Sequence, residues 1–351
     1  MKARGFAAAV LSLLVVFAAV GCGGPKEYTG QQFLMDTIVE ITVYADSEET
    51  AREGALAAFD AIKAIGDLTD RFPEEGSAAY QRSEVCKINS LAGIRPVQVG
   101  DDVLNMVELS KQYNELTGGA FDITVGPLMA LWGFGTKPAI PEESAIQQKL
   151  ALVGMDKVII DKEAKTVFLQ DKGMSMDLGG IAKGYAAEKA VKILSDKGIT
   201  QAVVNAGGNV IVLGSKNGKD QWKLGIQDPR DSNSTIGVLA LKDQAAVTSG
   251  DYQRYFESGG NRYHHLLDPA TGWPSRGLIS VTVVCDSSTL GDILSTALFV
   301  LGPEQGLELA ERLEGVDALF VSQDKEITVT SGLKEKVTVT PGEAYSYDPG
   351  R

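Results

Sequence analysis

From Phe33 to Tyr44 the chain passes into alternation, with Val39, Ile41 and Val43 apolar between Glu40, Thr42 and Tyr44, which is the period of a half-buried strand. The spacing then changes to that of a helix over about residues 48–67, with Leu56, Phe59, Ile62 and Ile65 on one side. A loop from Thr69 to Ser83, a short helical piece over 85–90 and a helix over about 102–117 follow, and Gly118-Gly119 stops the last. Leu128 to Trp132 leads to a Gly133-Phe134-Gly135 loop, and residues 142–153 read as a helix. Residues 158–160 and 166–169 read as a hairpin, and residues 202–213 as two strands broken at Gly207-Gly208. Residues 222–227, 236–241, 245–249, 277–284, 318–322 and 327–330 read as strands, and residues 290–301 and 303–313 as two helices. Strands and helices mix without a βαβ rhythm. The expected class is therefore α+β, with mixed, largely antiparallel sheets and packed helices.

The N-terminus has a different character. Lys2 and Arg4 precede an uncharged apolar run from Phe6 to Val20, which suits a signal-peptide core and is short for a bilayer-spanning helix. Ala19-Val20-Gly21-Cys22 resembles a bacterial lipobox, with Ala19 where leucine is usual. Residues 1–21 are thus expected to be a lipoprotein signal peptide, and residues 22–30 a polar tether anchored through lipidated Cys22. Residues 31–345 would form the globular domain. Acyl chains on Cys22 would hold the protein on the outer side of the cell membrane, the periplasmic side of an inner membrane.

A hydrophobic fraction of 44% fits a globular chain, and a net charge of −13 argues against nucleic acid as a partner. Beyond Cys22 only Cys86 and Cys285 remain, too few for a disulfide framework, and the two histidines, His264 and His265, form no zinc-like cluster.

Three segments carry chemistry. In Met174 to Lys189 an acidic residue, Asp177, is followed by Gly179-Gly180 and then by Lys183 at the start of a helix. Free N–H groups, a helix dipole and a lysine together suit phosphate, although Asp-x-Gly-Gly is also an ordinary helix cap. His265 opens His-Leu-Leu-Asp-Pro-Ala-Thr-Gly and is either a satisfied core histidine or a proton acceptor. Asp292 and Thr296 lie four apart on one helical face and could hold Mg²⁺. They could equally be a cap and a threonine bonded back to a carbonyl.

In order along the chain, these segments resemble the FAD:protein FMN transferases, the ApbE lipoproteins. The likeness rests on Met35-Asp36-Thr37, Ser83 to Asn89, Gly119 to Leu128, Leu131 to Gly135, Asp177 to Tyr185, Asn205 to Asn209, His265 to Gly272 and Asp292 to Thr296. It implies an ApbE-like fold and an enzyme that binds FAD and Mg²⁺. The FMN half would move onto a threonine hydroxyl of an extracytoplasmic acceptor, a membrane redox subunit, with release of AMP. Met35, Phe72, Ala120, Phe121, Asp122, Asp177, Lys183 and Leu267 would line the FAD site. The Gly180 carbonyl, Asp292 and Thr296 would hold the metal, with Ser295 where some relatives carry a second carboxylate. His265 is the candidate base. Two other readings use the same pocket: a Mg²⁺-dependent FAD pyrophosphatase giving FMN and AMP, and a lipid-anchored protein that only captures flavin. The chain carries no convincing acceptor motif of the form Asp-x-x-(Ser/Thr)-Gly-Ala-(Ser/Thr), so self-flavinylation is not expected.

Overall fold

The computed structural model describes residues 24–72, 76–134, 136–216, 218–342 and 344–348. The expected signal peptide and Cys22 lie outside these residues. Nine strands form one sheet in the spatial order Lys26–Leu34, Thr37–Ala45, Gln201–Ala206, Asn209–Leu213, Ala245–Gly250, Leu278–Cys285, Asp317–Ser322, Glu326–Val329 and Ser346–Tyr347. Every neighbouring pair is antiparallel except the last, which is parallel. Among the described residues the helices are α1 (Glu48–Thr69), α2 (Ala78–Arg82), α3 (Glu84–Ser90), α4 (Asp101–Leu116), α5 (Gly126–Trp132), α6 (Glu143–Leu150), α7 (Ala182–Asp196) and α8 (Ser288–Arg312).

The alternation read in the sequence decides which side of the sheet is covered. Val39, Ile41 and Val43 point to one face and are fully buried with Phe59 and Ile62 of α1 and Ala186 and Ala190 of α7. Each such aliphatic side chain removed from water stabilises the fold by about 1.5–3 kcal/mol. On the other face a smaller antiparallel sheet, Trp222–Asp228, Asp231–Leu241 and Val337–Val339, places Trp222, Ile226 and Leu239 against Val212, Val284 and Leu319. That is the expected α+β, largely antiparallel architecture.

Some elements depart from the sequence reading. A strand begins at Lys26, inside the segment read as a tether, because its backbone pairs residue for residue with Thr37–Ala45. Residues 290–301 and 303–313 are two helices, as expected; they run on within α8 (Ser288–Arg312) and are separated at Gly302, whose φ 81° and ψ −177° are not helical, ahead of Pro303. A hairpin of Tyr255–Ser258 and Asn261–His264, turning at Gly259-Gly260, leads directly into His265. Cys86 and Cys285 are both free thiols.

Candidate active site

The site is assembled where α7 starts against α8. At Gly184 the two helices touch so closely that a Cβ would stand 2.2 Å from the Ser288 carbonyl oxygen and 2.7 Å from the Asp292 Cβ. The buried Asp292 uses this approach: its Oδ2 accepts the Gly184 backbone N–H at 2.9 Å. In a regular helix that N–H would go to the Gly180 carbonyl. Here the carbonyl is left without a donor among the described residues. Ile181 and Ala182 give their N–H groups to Leu178, whereas those of Gly180 and Lys183 have no partner among the described residues. The start of α7 therefore offers two open donors and one open carbonyl side by side.

Thr296 completes this corner. Its Oγ1 would lie 3.4 Å from a Cβ on Gly180, and it forms no hydrogen bond among the described residues. Neither bland reading of the Asp292/Thr296 pair therefore describes the helix. Ser287, five residues before Asp292, caps α8, and it is Ser295, not Thr296, that bonds back to the Asp292 carbonyl, at 3.1 Å. Ser295 also shares a 2.9 Å hydrogen bond with Ser249, so its hydroxyl is engaged. Lys183 Nζ donates to the Gly179 carbonyl at 3.0 Å and stands 3.8 Å from Asp292 Oδ1.

Asp177 does not cap α7, whose N-cap is Ile181. It closes the turn before the helix, accepting the Gly179 N–H at 2.8 Å, and its second oxygen accepts from Arg71 at 2.6 Å. Arg71 was not legible as a partner; it is 106 residues away in sequence. Its guanidinium also lies 4.4 Å over the ring of Phe72, which is 70% exposed and so forms part of the rim. Phe121 is buried, with Cε2 3.0 Å from a Cβ on Gly180, and Ala120 is buried beside it. Asp122 accepts from Thr124 N and Oγ1 at 2.7 and 2.5 Å, and burial pushes its carboxyl above the usual range despite those bonds. Met35 packs on Gly66 at the turn of the N-terminal hairpin. The Leu267 side chain is buried with Leu128, Trp132 and Ile146, so only its backbone can face a ligand.

His265 is tied to the loop before its hairpin by a 3.1 Å bond from its N–H to the Arg254 carbonyl. Its Nδ1 is buried without a partner. Burial lowers the imidazole to about 3, and the positive charges of Arg254 and Lys183 act in the same direction. The ring is therefore neutral at physiological pH, with Nδ1 left unpartnered. His264 differs: its Nε2 meets the Ser275 carbonyl at 3.0 Å and its ring stands edge-on to Phe299, a core arrangement.

The family model described as the ApbE family matches residues 35–320. The chain belongs to the ApbE family. A relative from Klebsiella pneumoniae named FAD:protein FMN transferase is 36% identical over 309 residues, covering 87% of this chain and 92% of the relative. One of the same name from Treponema pallidum is 33% identical and covers 93% and 94%. Among solved structures, the ApbE protein of Thermotoga maritima superposes with a TM-score of 0.80 at 35% identity, covering 91% of this chain and all of that one. The flavin transferase ApbE of Vibrio cholerae gives 0.77 at 27% identity, covering 89% and 99%. The ApbE fold thus accounts for the sheet order, and these curated relatives are transferase enzymes.

Proposed function

We propose that this chain is a Mg²⁺-dependent FAD:protein FMN transferase, anchored outside the cell membrane through Cys22, that moves FMN from FAD onto a threonine hydroxyl of a protein acceptor. The observation that carries the reading is the corner of Gly180, Thr296 and Asp292, where an unpaired carbonyl, an unpaired hydroxyl and a buried carboxylate meet beside Lys183. A simple flavin-capture protein has no use for such a corner. The donors are all oxygen, which suits Mg²⁺, and no group of three His, Cys, Asp or Glu side chains among the described residues competes for another metal. Bound there, Mg²⁺ would neutralise charge on the phosphoryl oxygens of FAD.

The protein's own groups divide the remaining work. The open N–H groups of Gly180 and Lys183 and the Lys183 ammonium receive the diphosphate. The acceptor hydroxyl attacks the phosphorus of the FMN half; the bond from that phosphorus to the oxygen bridging to AMP breaks, and AMP leaves with the electron pair. His265 takes the hydroxyl proton. Burial is the main cause of its low resting basicity, with the positive charges of Arg254 and Lys183 adding to it; an arriving diphosphate would offset that smaller, charge-borne part.

Incubation with FAD, Mg²⁺ and a peptide carrying Asp-Gly-Ile-Ser-Gly-Ala-Thr, followed by intact-mass measurement, tests the reading. An FMN-sized gain on the peptide is expected. Free FMN without that gain would favour the pyrophosphatase, and neither product would leave only flavin capture.

A further inference from the structure

On the face of the N-terminal hairpin that turns away from the helices, cross-strand partners come in a clear order. Glu27 pairs with Tyr44, Thr29 with Thr42 and Gln31 with Glu40, and each pair is joined side chain to side chain, at 2.6, 2.9 and 2.5 Å. This is how a solvated sheet face normally satisfies itself. The next pair, Phe33 and Ile38, breaks the rule: both are apolar and they are 66% and 61% exposed. The smaller sheet that covers this side does not include them in its core.

The apolar pair sits next to the site. It flanks the turn of Met35 and Asp36, both in the left-handed region at φ 51° and 60°, and Met35 is expected to touch FAD. Asp36 reaches Arg254 at 3.4 Å, a long contact that leaves Arg254 half exposed, and Arg254 carries the carbonyl that holds His265. An exposed apolar pair near a half-exposed cation, close to a site whose proposed reaction needs a hydroxyl from another protein, has the composition of a recognition surface.

We propose that Phe33 and Ile38, with Arg254 beside them, form the docking shelf for the acceptor protein. The occupant is a segment placing an apolar side chain on the Phe33–Ile38 pair and an acidic residue at Arg254, so that its hydroxyl enters toward His265. The proposal rests on the transferase reading. None of Phe33, Ile38 or Arg254 holds FAD or metal in that reading, so acceptor recognition and flavin binding should be separable.

The test uses the double variant Phe33→Ser with Ile38→Ser and a 20-residue peptide with Asp-Gly-Ile-Ser-Gly-Ala-Thr between leucine-containing flanks. The KM for the peptide is expected to rise at least tenfold while FAD affinity, followed by flavin fluorescence, stays within twofold. The conservative pair Phe33→Leu with Ile38→Val should restore most of the affinity. Arg254→Glu should weaken the same peptide and recover with one whose aspartate is replaced by lysine. An unchanged peptide KM in the double variant would overturn the shelf while leaving the transferase reading intact. So would a wild-type dimer that the double variant converts to monomer, which would make the pair a self-interface. Wild-type enzyme that binds FAD yet adds nothing to the peptide would overturn both.

Discussion

The close approach of α7 and α8 makes Gly184→Ala an incisive perturbation. In an open helix this change would gain about 1 kcal/mol. Here the new methyl would stand 2.2 Å from a backbone oxygen that cannot rotate away, so ordinary contact needs roughly 1 Å of added helix separation. Overpacking of this kind costs about 1–3 kcal/mol. Stretching the bond from Gly184 N–H to the buried Asp292 carboxylate adds about another 1–3 kcal/mol. The net expectation is a loss of about 1–5 kcal/mol, a fall in Tm on the order of 5 °C for a domain of this size. Catalysis should suffer more than stability, since a displacement of about 1 Å between reacting groups costs roughly 10²-fold. Calorimetry and FMN transfer to the peptide read the two effects. A variant that melts at or above wild type with an unchanged transfer rate would refute the proposed coupling of helix packing to the site.

Asp292→Asn keeps an oxygen for Gly184 N–H but removes the charge, so the fold should hold while the Mg²⁺ concentration for half-maximal transfer rises at least tenfold; a Mg²⁺ titration decides. Arg71→Ala leaves Asp177 without its 2.6 Å partner and should weaken FAD binding by about tenfold, measured by equilibrium dialysis; unchanged affinity would mean the pair lies outside the FAD site. His264 is held at about 4, mainly by burial, below its unfolded value of 6.5. Below pH 6.5 the unfolded chain therefore binds the proton first. The stability contributed by neutral His264 is present above that pH and is lost as pH falls toward 4. Urea unfolding at pH 7, 6 and 5 should show falling stability, with a shallower slope in His264→Gln; equal slopes would refute the assignment.

Where one face of an element meets a core, its period was legible. The helix expected over 48–67 is Glu48–Thr69, and the hairpin expected over 158–160 and 166–169 is Val158–Asp161 with Thr166–Leu169. The Lys26–Leu34 strand was missed because it lies at the sheet edge, where Glu27, Thr29 and Gln31 face water and the other face carries Gly30 and Gln32 beside Tyr28, too few apolar residues for a period-2 signal. The first half of Asp231–Leu241 was missed for the same reason, since Asp231 to Ser234 are polar throughout. In the site, the residue types and their order along the chain pointed to Gly180, Lys183, Asp292, Thr296 and His265. Their partners Arg71, Gly184 and Arg254 were not legible, because tertiary packing alone brings them in. Gly184 did leave a trace: a glycine inside a helix is costly, and close contact with a second helix is a common reason to keep one.

The strand Leu278–Cys285 is buried along its whole length and joins the His265 segment on one side to α8 on the other. The proposed proton acceptor and the proposed metal ligands are thus both connected through this one buried strand, within residues 265–296. Breathing of the outer strands would carry both together and leave the span between them intact. For protein engineering this stretch is a cassette: on the docking proposal, Phe33 and Ile38 can be redesigned toward a new acceptor while residues 265–296 stay unchanged.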